Sequence, residues 1–123
     1  VAVLLEDAAS VLEVEPDTGR FTGDGSLDIG VVGPYPQGSE FAFEVRAFFT
    51  DHLGDIKEDP VTGSLNASLG QWLLATGRAT APYVASQGIR LGRSGRVHIQ
   101  QDGDGTVWVG GAAVTMISGE IDL

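Results

Sequence analysis

Between Phe41 and Phe49 the chain alternates apolar and polar side chains through Phe43, Glu44, Val45 and Arg46, the two-residue period of a strand with one face buried. Leu27–Val32 before it, and Arg96–Gln100, Thr106–Val109 and Ala113–Ile117 after it, repeat the signature with glycine-rich breaks between them. The last three predict a meander of short strands in the C-terminal third. The opening run Val1–Leu5 reads as a further strand entered partway, and with a first residue other than Met a fragment is expected. From Ser64 to Thr76 the period changes. Leu65, Leu69, Trp72 and Leu73 recur at helical spacing, with Ser64 placed as N-cap and Gly77 as the C-terminal stop. That predicts one core helix. Asp7–Glu13 reads as a second helix ending before Pro16, although Ser10–Val14 reads equally well as extended chain. The pattern is that of an α+β fold in a single domain over residues 1–123.

Eighteen glycines punctuate these runs. Two Gly-Asp clusters, Thr22–Ser26 and Gln101–Gly105, sit between apolar segments as tight turns do. The second resembles the start of a calcium loop, but the remaining ligand positions and the terminal Glu are missing, so it is read as a turn and no metal is expected. His52 and His98 lie far apart without a partnering carboxylate pattern, and neither is read as a ligand.

Composition narrows the functional classes. The 123 residues are 42% hydrophobic and 20% charged, which fits one globular core and leaves too little chain for two. No cysteine is present, which removes disulfides, thiolate metal sites and a cysteine nucleophile together. A formal net charge of -10 disfavours polyphosphates, so nucleic acid is not an expected partner. No signal peptide or apolar run of membrane-spanning length is seen, so no membrane partner is expected and a cytoplasmic location is. The charge is uneven: residues 1–59 carry 13 carboxylates and three basic groups, whereas residues 60–101 carry four arginines and no carboxylate. A small anion would feel least repulsion near that middle block, although a solvated arginine face explains it as simply.

The segment Lys57–Ser64 joins the Phe-rich strand to the core helix. Pro60 biases Asp59 toward extended angles, and Gly63 permits a tight turn before the helix. The first helical turn then offers bare amides at Ser64, Leu65 and Asn66 with the positive end of the helix dipole, a place for a carboxylate. Asp59 would stand beside it as hydrogen-bond partner or acid/base, and Ser64 would add a hydroxyl. The same residues also read as a plain cap, dipole complement and turn, the reading that local chemistry alone favours. Thr62–Asn66 lacks the second glycine of a nucleophile elbow, and no Lys follows the glycine as a phosphate loop requires. Neither a hydrolase nor a nucleoside triphosphatase is supported.

Beyond these local features, five segments in order resemble one family. They are Arg46–Phe49, Gly54-Asp-Ile-Lys-Glu-Asp-Pro-Val-Thr-Gly-Ser64, Gln87-Gly-Ile-Arg-Leu-Gly-Arg-Ser-Gly95, Val109-Gly-Gly-Ala-Ala-Val114 and Ser118-Gly-Glu120. Order and spacing match the C-terminal half of the PhzF-type phenazine-biosynthesis isomerases. The resemblance implies a diaminopimelate epimerase-like fold of two similar halves, each a curled, mostly antiparallel sheet around one central helix, with the active site between halves. It implies cofactor-independent proton transfer on a small carboxylate substrate; the best-known member isomerises trans-2,3-dihydro-3-hydroxyanthranilate. No metal, PLP or nicotinamide is called for.

Carried over by position, Asp59 matches the family's active-site aspartate. Gly63 and Ser64 match its substrate-holding amide and serine, and Leu65 extends that substrate-binding turn. Gln87, Gly88, Arg93, Gly110 and Gly111 match motif positions with structural roles, and Arg46 lies on the strand leading to the site. The family's acid/base glutamate and an assisting histidine belong to the N-terminal half. Nothing in residues 1–45 resembles their motif, and Glu44 and Glu58 do not replace the glutamate by motif. This chain is therefore expected to be a half-site, inactive alone, whose partner is the N-terminal half of the same enzyme or a second copy. The apolar surface bared by the missing half predicts a homo-oligomer.

Overall fold

The computed structural model describes residues 1–17 and 27–122. In chain order the elements are β1 (Ala2–Leu4), α1 (Ala8–Glu13), β2 (Asp28–Pro34), β3 (Phe43–Thr50), β4 (Ile56–Asp59), α2 (Gly63–Ala75), β5 (Tyr83–Gln87), β6 (Gly95–Gln101) and β7 (Val107–Gly110). A short 3-10 turn, Ile89–Leu91, follows β5. The strands form one sheet in the order β1-β2-β3-β5-β6-β7, with β4 branching from β3. The sheet is mixed: β1 with β2 and β3 with β5 run parallel, and the other pairs are antiparallel. It does not close. β3 holds two neighbours on one side, β5 along Phe43–Val45 and β4 along Ala47–Thr50, and that fork brings the β4–α2 junction beside the end of β5.

The expected strands at Val1–Leu5, 27–32, 41–49, 96–100 and 106–109 are all present, shifted by a residue or two. β4 and β5 were not legible as strands. The expected strand at Ala113–Ile117 does not form; the stretch runs without regular structure, and Val114, Met116 and Ile117 are exposed, Ile117 at 92%. Alternation alone cannot make a strand where no neighbour supplies the ladder bonds. Of the two Gly-Asp turns, Thr22–Ser26 lies outside the described residues. Gln101–Gly105 turns the β6–β7 hairpin with Gly105 at φ +90°, where glycine is favoured.

The two helices lie on opposite faces of the sheet, α2 as the expected core helix and α1 where Asp7–Glu13 reads as a second one. α2 covers the core of Val32, Phe43, Val45, Leu69, Leu73, Ala85, Val97 and Ile99. α1 is capped by the Asp7 carboxylate, which accepts from the Ser10 amide at 2.7 Å, and it packs Val11 on Val31 and Phe48 on the other face. The helical reading of Asp7–Glu13 therefore holds over the extended one. β3 is consequently buried on both faces rather than one, and its polar positions must find partners inside. Glu44 accepts from the Tyr35 hydroxyl at 2.9 Å. Arg46 donates to the carbonyls of Val11 in α1 and of its C-cap residue Val14 at 3.2 and 2.6 Å, and pairs with Glu58. At the far end of α2, Gly77 adopts φ +68° and its amide bonds Leu74 while Arg78 bonds Leu73, the expected glycine stop.

Candidate active site

β4 sorts its last two carboxylates by strand alternation. Glu58 pairs across from Phe48 and meets Arg46 on the α1 face, whereas Asp59, opposite Ala47, lines a cleft on the α2 face. The cleft has a volume of about 750 Å³ and runs between the N-terminal half of α2 and the β1–β2–β3 strands. Its walls are largely apolar, with Ile29, Ala47, Phe49, Leu65 and Trp72 among them. Its polar side chains are Asp28 from β2, Asp59 from β4, Thr62 at the β4–α2 junction, and Ser64 and Ser68 from α2.

The helix start differs in detail from the sequence reading. α2 begins at Gly63, so Thr62 is the N-cap residue and Ser64 is already inside the helix. Thr62 makes no side-chain cap bond; its hydroxyl donates instead to Asp59 Oδ2 at 2.6 Å. The Asn66 amide is taken by the Thr62 carbonyl at 3.1 Å, so the uncommitted amides are those of Gly63, Ser64 and Leu65 rather than Ser64, Leu65 and Asn66. The helix therefore presents three donors and its positive end within one turn of the Asp59 carboxylate. Gly63 has no left-handed φ, and a Cβ there would meet nothing within 4 Å, so neither a strained turn nor close packing accounts for this glycine.

Gln87, at the end of β5 and fully buried, ties this corner together. Its carbonyl oxygen accepts from the Thr62 amide at 3.0 Å and from Asn66 Nδ2 at 2.8 Å. Its Nε2 donates to the Asp59 carbonyl and to Thr62 Oγ1, each at 3.0 Å. Asn66 in turn donates to the Thr62 carbonyl at 2.9 Å. The glycines of the same motif give this corner room. A Cβ on Gly88, at φ +97°, would lie 2.6 Å from the Pro60 oxygen, and one on Gly95 would lie 2.5 Å from the Gln87 oxygen and from Val61. Thr62 and Asn66 carried no individual signal in the sequence, since their value depends on a partner that β5 delivers from more than 20 residues away.

The structure thus brings Asp59, Gly63, Ser64 and Leu65 to one corner and keeps the other acidic candidates away. Glu44 and Glu58 are buried or paired on the α1 side. None of the four arginines of the positive block lines the cleft: Arg90 pairs with Glu15, Arg96 with Glu40, and Arg78 stacks on Trp72. Among the described residues no three His, Cys, Asp or Glu side chains gather as a metal site, and no helix is long and apolar enough to cross a membrane.

The α+β domain with its mixed open sheet thus sets a helix N-terminus and the strand-end carboxylates of Asp28 and Asp59 around one largely apolar cleft. The family model described as phenazine biosynthesis-like protein matches residues 1–119, and the chain belongs to that family. It is also similar to an uncharacterised isomerase of Pasteurella multocida, 36% identical over 77 residues. That match covers 63% of this chain and 26% of the relative, so the chain spans only part of the relative's length.

Proposed function

We propose that this chain forms one half of the active site of a cofactor-independent isomerase or epimerase. The reaction moves a proton on a small carboxylate substrate of the trans-2,3-dihydro-3-hydroxyanthranilate kind. The observation that carries the reading is the meeting of the Asp59 carboxylate with the uncommitted amides of Gly63, Ser64 and Leu65 at the edge of an apolar cleft. In this arrangement the substrate carboxylate takes the amides and the Ser64 hydroxyl, and the apolar walls take its carbon frame. Asp59 holds a polar substituent near the migrating proton or takes part in its transfer.

The second acid/base, a glutamate, comes from an N-terminal half or, failing that, from a second copy. Both Glu44 and Glu58 lie on the opposite face of the sheet, Glu44 bonded to Tyr35 through Oε2 and Glu58 paired with Arg46. Without that donor the chain alone lacks the roughly 10²- to 10⁴-fold that a positioned acid/base contributes. The open sheet over α2 suits one half of a diaminopimelate epimerase-like pair, and the exposed Val114, Met116, Ile117 and Ile121 suit coverage by the partner half or by self-association.

Asp59→Ala in the assembled enzyme is the test. Turnover is abolished while the near-ultraviolet circular dichroism stays that of the native fold; unchanged turnover would remove Asp59 from the site.

A further inference from the structure

We propose that Gln87 and Thr62 are positioning residues which set the direction of the Asp59 carboxylate. This rests on the functional reading above and adds to it two side chains that need not touch substrate. A primary amide offers two N–H donors and two acceptor lone pairs, and Gln87 uses all four within this one corner. Its orientation has no freedom. Turning the amide over would set Nε2 against the donors of Thr62 and Asn66, and would set the oxygen against the Asp59 carbonyl.

Because one Gln87 N–H occupies a lone pair of Thr62 Oγ1, the single hydroxyl proton of Thr62 is directed elsewhere, and Asp59 Oδ2 lies 2.6 Å away to receive it. Asp59 is therefore held twice, by its main-chain carbonyl to Gln87 and by one carboxylate oxygen through Thr62. Oδ1 has no partner among the described residues and is the oxygen left for the substrate. A half-buried network centred on the saturated, fully buried Gln87 amide fixes geometry more tightly than any of its bonds alone. Thr62 has given up the usual role of an N-cap side chain to do this, which also leaves the amides at the helix start uncommitted.

A proton transfer is sensitive to that geometry, since a misplacement of about 1 Å can cost on the order of 100-fold. Thr62→Val keeps the side-chain volume and deletes the hydroxyl, whereas Thr62→Ser keeps the hydroxyl. Three-bond couplings to the Asp59 side-chain carboxyl carbon report its χ1 angle without reference to activity. Wild type and Thr62→Ser are expected to show one rotamer, and Thr62→Val an average of several. In the assembled enzyme Thr62→Val should lower kcat roughly ten- to hundredfold with a smaller change in KM, and Thr62→Ser should restore it. Gln87→Glu keeps the shape but loses both donors, and should average the Asp59 rotamer in the same way; if it does not fold, Thr62→Val decides alone. A single Asp59 rotamer in Thr62→Val overturns the positioning role. An averaged rotamer in a protein whose turnover survives Asp59→Ala would instead leave the positioning intact and overturn the functional reading.

Discussion

Arg46 and Glu58 meet in a two-pronged ion pair, Nε to Oε1 at 2.9 Å and Nη2 to Oε2 at 2.8 Å, with both side chains nearly out of solvent. The guanidinium also reaches the last carbonyls of α1 and lies over the Phe48 ring at 4.8 Å from its centroid. One side chain thereby joins β3, β4 and α1, and it anchors the residue immediately before Asp59.

Removing one member of a buried pair leaves the other charged and unsolvated. Arg46→Met should therefore destabilise the fold by about 3–5 kcal/mol in urea unfolding, with Glu58→Leu added to it recovering part of the loss. The α1 carbonyls remain unpaired in the double variant, so recovery is incomplete. Arg46→Lys should also lose stability, because an ammonium cannot reproduce the fork.

Gly88 and Gly103 give a matched contrast. Gly88 sits at φ +97°, and a Cβ there would press on the Pro60 oxygen, so Gly88→Ala meets both backbone strain and a steric clash. A loss of about 2 kcal/mol or more is expected, together with reduced turnover, since Pro60 lies between Asp59 and Thr62. A Cβ on Gly103 meets nothing within 4 Å, and Gly103→Ala should change stability by no more than about 0.5 kcal/mol. Equal effects in thermal melts would contradict the account of the Gln87–Gly88 corner.

Burial pushes the Glu44 carboxyl above its ordinary value of 4.5, and the Ser86 and Tyr35 hydroxyls and Arg46 oppose the shift while Glu58 adds to it. Tyr35, pushed up to about 12 by burial and by its bond to Glu44, stays a neutral donor. A folded-state value above the unfolded one means that the native state binds the extra proton. Stability from this group is thus full below about pH 4.5 and declines as pH rises through the raised value. Glu44→Gln removes the titration, so the stability difference between variant and wild type should move in favour of the variant as pH rises from 4 to 7. The comparison cancels the carboxylates of Asp7, Asp51 and Asp104, whose lowered values act in the opposite direction in both proteins. A pH-independent difference would contradict the placement of Glu44.

Much of this architecture was legible in the sequence because it is local. The period change at Ser64–Thr76 marks α2, Gly77 marks its end, and Pro60 marks Asp59 as extended. The Glu-Asp-Pro-Val-Thr-Gly-Ser run likewise directs attention to the corner where Asp59 and the helix start meet. What escaped depends on distant partners. β5 reads as loop because its strand character comes from β3 and β6 on either side. Ala113–Ile117 has the alternation of a strand but no neighbour to pair with. Glu44 and Arg46 look like the wet face of β3, until α1 arriving from upstream takes the Arg46 guanidinium and Tyr35 reaches Glu44. Thr62 carries no signal of its own until Gln87, arriving on β5, donates to its hydroxyl oxygen.

The proposed function requires this corner to perform proton transfer at carbon and not merely to hold an anion. Solvent deuterium uptake tests it most directly: the assembled enzyme is incubated in deuterated buffer with a small cyclic hydroxy-carboxylate, and its carbon-bound hydrogens are followed by mass and NMR. The account predicts exchange at the migrating position, dependent on Asp59. Tight binding of the carboxylate with no deuterium incorporated would contradict it and leave a binding module in its place.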